Sequence, residues 1–530
     1  MSRPSFEVRL FEFAVGFILL FFAASRAHAQ QPPRIGSITI ATGDIYSPEE
    51  AKRGFLYRLA DNLHSETKPS VVREFLLFKE GDTYDPARLR ETERNLRALH
   101  FIRSAKISVG EPHDGVVDIL VETADSWTFE PGTSVGNSGG VSTYGFELTD
   151  GNVGGTGRAA SMSYDRGSDR ARMAFDLSDP AFLRPYWRAR ATYAKNSDGF
   201  EHRLSLGKPF VSITSRSSGE LSFSDYRRHD MLYRGGELFS TLTHDHRQFV
   251  ASWALASKTK SDSATRWGIG TRILDDRLRS TTTVADSTDR SFRYLFLKVS
   301  HVQSRFLTWN FVDDDIRHQD FNLGTEFSME AGVSPKALGV ARTTQYVRAA
   351  MSRGWTLGGQ TFVVTRGSFD SRIDQGLRNT IASLNGQFVH RWQTAIPQTF
   401  VAHLLLNNGS NLDPEVQFFA DDRSGLRGYR LHAYEGSRNL VVNAEQRIFL
   451  GRELLQLISP GVVAFFDAGK ASGGPLRGTS GFGADVGVGI RLGLPRTERG
   501  LIRIDAAYPL QRDPLGRRGL LISFSSGQAF

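Results

Sequence analysis

Between Trp127 and Phe530 the chain is built almost entirely of short stretches in which side chains of one kind recur at every second position. Gly, Asn, Asp and Ser separate these stretches. A period of two is the signature of a β-strand with two unlike faces. Within Phe249–Leu255, the large residues Phe249, Trp253 and Leu255 share a face. Val488, Ile490, Leu492 and Leu494 oppose Gly487, Gly489, Arg491 and Gly493. Ile502, Ile504, Ala506 and Tyr508 oppose Leu501, Arg503, Asp505 and Ala507. An apolar face backed by one carrying Arg and Asp is what a wall between lipid and a wet lumen requires. No apolar run of 18 residues interrupts the tract, which excludes a bundle of membrane helices. Alternation also explains a mean hydropathy of only −0.30. At ~9–11 residues per spanning strand plus turns, residues 125–530 supply roughly a dozen to eighteen strands. A soluble β-sandwich or propeller shares the alternation; the amino-terminal leader and the lack of disulfides favour the barrel.

Residues 1–29 read as a secretory signal peptide. Arg3 and Arg9 make a basic start, Phe13–Ala24 is uninterruptedly apolar, and Ala27-His28-Ala29 is a small-x-small cleavage site. The apolar run is shorter than the ~20 residues of a membrane anchor. The chain contains no cysteine. That excludes disulfides, thiol catalysis, iron–sulfur clusters and cysteine-ligated zinc. Residues 30–124 hold 13 Lys and Arg against 15 Asp and Glu, whereas 125–530 hold 49 against 40. For an exported chain this basic excess suits a lumen or a rim facing anionic headgroups better than nucleic acid.

Residues 30–124 follow a different grammar, that of a compact α+β module. Ile35–Ile40 alternates as a strand, and Ser47-Pro48-Glu49-Glu50 is a helix start. Val71–Phe78 is a short apolar segment closed by Gly81-Asp82. Asp85-Pro86 caps a further helix with Leu89, Leu96 and Leu99 at helical spacing. Ile102–Val109 and Val116–Val121 are strands. A sheet of this kind leaves an edge that can accept a strand from a partner.

These residues together resemble the outer-membrane family of BamA and TamA, in which a POTRA domain precedes a bacterial surface antigen barrel. Residues 71–121, with the Gly81-Asp82 turn and the Leu96…Phe101-Ile102 spacing, look like a POTRA domain. Asn152–Arg158, containing Gly155-Thr156-Gly157, is similar to the family's early barrel hairpin, and Asp179-Pro180 to its next turn. Leu426-Arg427-Gly428-Tyr429 resembles the loop-six signature that folds back into the lumen. Phe465-Phe466-Asp467-Ala468-Gly469 resembles the companion strand motif, with Glu445-Gln446-Arg447 between the two. The chain departs from the family in carrying one POTRA domain, a long segment at 44–70, and Gln528 where the terminal signal has an aromatic before Phe530.

The resemblance implies an α+β POTRA domain at 30–124, with an insertion near 44–70, and an antiparallel transmembrane barrel of sixteen strands at 125–530. It implies assembly of outer-membrane proteins or translocation of polypeptide, with the POTRA domain in the periplasm. The expected partners are outer-membrane lipid and lipopolysaccharide, and unfolded polypeptides added at the POTRA edge. No nucleic acid, cofactor or bond-making activity is expected. The alternative is a passive pore or surface antigen. The lumenal motif is Leu426, Arg427, Gly428 and Tyr429, with Asp467, Gly469 and Glu445 as its partners. An arginine buried in a lumen needs a carboxylate, and Asp467 offers a bidentate one. The seam is expected between strands near Phe129 and Phe524.

Two further motifs do not point to catalysis or metal binding. Gly132–Gly136 and Gly136–Gly140 each match Gly-x-Ser-x-Gly, but in a Gly-rich hairpin with no following helix. His244-Asp245-His246 puts two imidazoles on one strand face with no third ligand nearby in sequence, and reads as a solvated loop.

Overall fold

The computed structural model describes residues 32–43 and 65–528, apart from 139–140, 184–185, 261, 281–286, 314–317, 452, 455–457, 474–480, 495–500 and 527. The expected signal peptide, the helix start at Ser47, most of the 44–70 insertion and Phe530 lie outside the described residues.

The amino-terminal unit runs β1 (Arg34–Gly43), α1 (Pro69–Glu74), α2 (Pro86–Arg97), β2 (Ile102–Val109) and β3 (Val116–Asp125). Its sheet has the order β1-β3-β2, with β1 parallel and β2 antiparallel to the central β3. Asp85 caps α2 by accepting from the Ala87 N–H at 2.9 Å, and Pro86 opens the helix with its φ already set. Leu89, Thr92 and Leu96 form the buried stripe of α2, and the Thr92 hydroxyl donates to the Arg88 carbonyl. The apolar segment at 71–78 forms α1 in its first part. Val71, Val72, Phe75, Leu76 and Phe78 join Leu96, Phe101, Ile102 and Val121 in one core. Truncation at fully buried Leu96 is worth ~2–5 kcal/mol.

Apart from two short two-stranded sheets, the remaining strands form a closed antiparallel meander. Among the described residues it contains twenty strands, from Phe129–Ser138 to Leu521–Ser526. This corrects the expected sixteen. Several hairpins turn within two to four residues, as at Ser197-Asp198, Gly235-Gly236 and Gly167–Arg170, so fewer residues go to loops and more to wall. Strand length runs from 6 residues in Leu521–Ser526 to 23 in Glu237–Thr259. The alternation sorts as the sequence requires: Trp253, Leu255, Val488, Ile490, Ile502 and Ile504 lie on the exposed outer face, while Arg491 and Asp505 are buried inside. The first Gly-x-Ser-x-Gly match lies within the strand Phe129–Ser138, paired with Val141–Asp150, and the described residues of the second continue it; a strand rather than an α-helix follows the nucleophile position. His244 and His246 stand in the middle of the strand Glu237–Thr259, not in a solvated loop.

Barrel strands pair with their neighbours in sequence, but two long insertions between paired strands leave the wall. Residues 304–325, between Thr288–Gln303 and Glu326–Ser334, fold as a hairpin of Phe306–Trp309 with Gln319–Asn322. Residues 411–437 lie between Gln398–Ser410 and Arg438–Phe449.

The amino-terminal unit sits against one mouth of the barrel. Glu91 of α2 accepts from the Ile213 N–H and the Ser212 hydroxyl, and Asn95 donates to the Val211 carbonyl. Arg97 pairs with Asp320 of the 304–325 hairpin at 2.8 Å, and Arg94 stacks on Phe306. The turn containing Gly155 and Gly157 lies directly on the unit. Both have positive φ, and a Cβ on Gly155 would stand 2.1 Å from the Glu66 carbonyl oxygen. Only glycine meets both demands at once.

Closure leaves no long free edge from which detergent can unzip the strands. The folded chain is therefore expected to migrate differently on SDS gels before and after boiling. Equal mobility of boiled and unboiled refolded samples would contradict the closed barrel.

Candidate functional site

Four adjacent strands near the end of the chain bring carboxylates to the lumenal face: Glu445, Asp467, Asp485 and Asp505, each buried. Register explains the arrangement. Asn443 stands opposite Asp467, Asp467 opposite Asp485, and Gly489 opposite Asp505. The glycines alternating with Val488 and Ile490 face inward, where they leave room. A Cβ on Gly487 would stand 2.1 Å from the Phe465 ring, and one on Gly489 would stand 2.1 Å from the Asp505 carboxylate.

Into this wall the 411–437 segment inserts Arg427. Its Nε and Nη2 donate to the two oxygens of Asp467 at 2.8 and 3.0 Å. Its Nη1 donates to Glu445 at 2.8 Å and reaches Asp505 at 3.5 Å. The guanidinium lies over the Phe465 ring, 3.4 Å from its centroid. All four charged side chains are wholly excluded from solvent. A planar fork with five donors suits this cage; a lysine ammonium cannot make the same bidentate contact.

The segment is ordered locally before it is clamped. Phe418–Ala420 pairs with Tyr434–Gly436. Asp421 caps the short helical turn Asp422–Ser424, its carboxylate accepting from the Ser424 and His432 N–H groups. Gly425, at φ +105°, closes that turn and aims the chain at the wall. Leu426 is fully buried, and the Tyr429 hydroxyl bonds to Ala484 and Gln511. A Cβ on Gly428 would stand 2.5 Å from Asp485, so the backbone passes there only without a side chain. Gly469 shares the inward face of Asp467 but lies beneath Ala420 rather than beside the motif.

Several residues of the site have no role assigned by the sequence reading. Asn443 donates to Asp467 and to the Gly425 carbonyl. Arg491 pairs with Asp505 at 2.6 Å. Arg447 donates to Glu445 at 2.8 Å and, from its other end, to the Val312 carbonyl and Asp313 of the 304–325 hairpin. That hairpin lies inside the barrel, where Trp309, Val312 and Leu323 pack on the inward residues Phe362, Val364, Val389 and Val401. A line of charges, Arg427–Glu445–Arg447–Asp313, thus joins a segment entering from one mouth to a hairpin entering from the other. Gln528 fits the same network. Its amide donates to the Asp313 carbonyl and accepts from Arg491, a pairing that an aromatic at this position cannot make.

The structure places the seam between Phe129–Ser138 and Leu521–Ser526; among the described residues it has a single registered pair, Asn137 opposite Phe524. Phe129 itself lies at the far end of its strand, opposite Asp150. The preceding strand pair, Leu501–Pro509 with Leu521–Ser526, has six registered pairs.

The chain matches the Omp85 superfamily domain over residues 152–530. Among solved structures it is similar to CdiB from Escherichia coli, with TM-score 0.49 and 12% identity over 94% of this chain and 76% of that one. CdiB from Acinetobacter baumannii gives TM-score 0.48 and 10% identity over 94% and 74%. BamA from Haemophilus ducreyi lacking POTRA domains 1–3 gives 0.38 and 12% over 93% and 84%. No curated protein matches the chain significantly.

Removing one partner of a buried ion pair strands the other charge, at ~3–5 kcal/mol. Arg427→Ala is expected to destabilise the refolded barrel by about that amount, as read by urea unfolding. In a cycle with Asp467→Ala the double variant should lose ~1–3 kcal/mol less than the two single losses combined. Strictly additive losses would refute the coupling.

Proposed function

The chain belongs to the Omp85 superfamily, and on that premise we propose that it works in the outer membrane, inserting barrel proteins or passing polypeptide across it. The finer reading is a machine of the BamA/TamA type. In it, residues 1–29 are a signal peptide, residues 30–124 are a periplasmic POTRA domain, and residues 125–530 are the membrane barrel.

The observation that carries this reading is the seam. In hydrocarbon, parting two strands exposes their backbone donors and acceptors, so the cheapest place to open is where fewest are paired. Among the described residues, one registered pair at Asn137–Phe524 contrasts with ten between Phe129–Ser138 and Val141–Asp150. The described part of the last strand, 6 residues, reaches roughly 20 Å. That is less than the ~25 Å apolar band of a barrel wall, so little described backbone holds this edge closed. Both features favour lateral opening toward the bilayer.

The amino-terminal unit supports the POTRA assignment through its strand–helix–helix–strand–strand order. Strand β2 is an outer strand of the sheet and offers an edge for an extended client by strand addition. Docking of α2 on the barrel mouth through Glu91 and Asn95 positions that client below the wall. The passive-pore reading is disfavoured, because the lumen holds the 411–437 segment and the 304–325 hairpin together.

The absence of native cysteine makes the test clean. Cysteines introduced at Asn137 and Phe524 can form a disulfide only while their Cα atoms stay ~4.4–6.8 Å apart. The oxidised barrel, reconstituted in liposomes, is expected to stop protecting an unfolded outer-membrane client from external protease, and a reductant to restore protection. If the sealed barrel protects its client as well as the reduced one, lateral opening is wrong and passage through the lumen takes its place.

A further inference from the structure

On the opposite side of the lumen from the arginine clamp, four adjacent strands place Tyr226, His246, Asp276 and Arg290 directly opposite one another in register. His244 stands two residues from His246 on the same inward face, and Asp230 reaches it from the strand Ser217–Arg234. The third ligand that the local sequence lacks is therefore supplied by the neighbouring strand. His244, His246 and Asp276 each point one ligand atom at a common space, all within 4.8 Å of one another.

The partners of the remaining atoms make this more than a chance meeting of side chains. Nδ1 of His244 lies 2.7 Å from the Asp230 carboxylate, leaving Nε2 facing Asp276 Oδ1 at 3.3 Å. Nε2 of His246 lies 3.3 Å from the Ser224 hydroxyl, leaving Nδ1 facing the same Oδ1 at 2.6 Å. Asp276 gives its other oxygen to Arg290 at 3.2 Å. Each of the three groups is thus held from behind by a polar partner, while His244 Nε2, His246 Nδ1 and Asp276 Oδ1 converge on one place, where a metal would replace the protons that now bridge them. A carboxylate behind a histidine is how proteins orient imidazoles toward a metal. Tyr226 walls the space, stacked on His246 and edge-on to His244. The three side chains are almost completely shielded from solvent, at 6, 15 and 9% exposure for His244, His246 and Asp276.

We propose that His244, His246 and Asp276 bind a divalent transition-metal ion, zinc by preference, with a fourth position open to the lumen. Two imidazoles and one carboxylate are a donor set for zinc rather than for calcium or magnesium. Metal–ligand distances of ~2.0–2.2 Å put tetrahedral ligand atoms about 3.3 Å apart. The His246–Asp276 contact must then open by about 0.7 Å and the imidazoles approach by no more than about 1.5 Å, which side-chain rotation supplies. The ion would also brace the lumenal segment. Arg290, held by Asp276, bonds Asp413 and Glu415 at 2.6 Å each, at the stem of the segment that carries Arg427. Arg372, three strands further along the wall, also holds Asp413, at 2.6 Å.

The test uses the full chain, refolded in detergent and stripped with chelator, with folding of each variant checked by its heat-dependent gel mobility. Isothermal titration with zinc chloride is expected to give one tight equivalent per chain, and cobalt(II) a tetrahedral visible spectrum. His246→Ala and Asp276→Asn should lose the tight equivalent, while His301→Gln, outside the cluster, keeps it. Asp230→Asn should weaken it ~10–100-fold, as expected for a partner behind a ligand. Should Asp276→Asn fail to fold, His246→Ala decides, because it leaves the His244–Asp230 pair intact. A folded wild type with no tight equivalent overturns the proposal and leaves the cluster a hydrogen-bonded charge network. A folded His246→Ala that binds zinc as tightly as wild type overturns it equally.

Discussion

Everything in this barrel follows from the need to satisfy the backbone. In hydrocarbon no water meets a free N–H or C=O, so a sheet that crosses a membrane must close on itself. Closure turns one face of every strand outward to lipid and the other inward. The inward face then carries whatever lipid cannot accept, here Arg427, Arg447, Arg491, Glu445, Asp467 and Asp505. A lumen lined in this way holds water or is filled by chain. In this protein it is filled from both mouths, and the charges on the wall become partners for the charges on the inserted segments.

The arginine clamp shows why such filling requires shape as well as charge. Desolvating a guanidinium and three carboxylates is costly, and their attraction offsets that only with nearly ideal geometry. The geometry comes from small residues: Gly487 makes space for Phe465, Gly489 for Asp505, and Gly428 lets the loop backbone approach Asp485. The Asp421-capped turn presents Arg427 with much of its ordering already accomplished, which reduces the entropy lost on insertion. The network extends through Arg447 to Asp313 and Gln528. The lumenal hairpin, the loop motif and the chain terminus are therefore parts of one interaction, with the amino-terminal unit attached to its lower end through Arg97–Asp320.

Against that network the weakly paired seam is the mechanical contrast. The wall holding the clamp, from Gln398–Ser410 to Leu501–Pro509, is joined by nine to thirteen registered pairs per neighbouring strand. Among the described residues, the edge where the barrel closes is joined by one. On the proposed function, a rigid sector beside a loose one is what would let the barrel part at a defined place without losing the rest of its fold.

Much of this was legible in the chain itself. A strand's alternation is local, so the outward residues at 249–255, 488–494 and 501–508 could be assigned from sequence, as could the Asp85-Pro86 cap of α2. Arg427 and its need for a carboxylate were legible from the motif and from the energetics of a buried charge. Strand number was not, because it depends on how few residues each turn consumes. The 304–325 hairpin was not, because nothing in its composition says that it folds inward. The rung of Tyr226, His246, Asp276 and Arg290 was hidden too, since its members lie 14 to 64 residues apart. Period and capping are properties of neighbours along the chain, and the sequence determines them alone. Register, closure and the contents of the lumen are relations between distant strands, and only the tertiary structure decides those, because a one-residue slip along any strand exchanges its two faces.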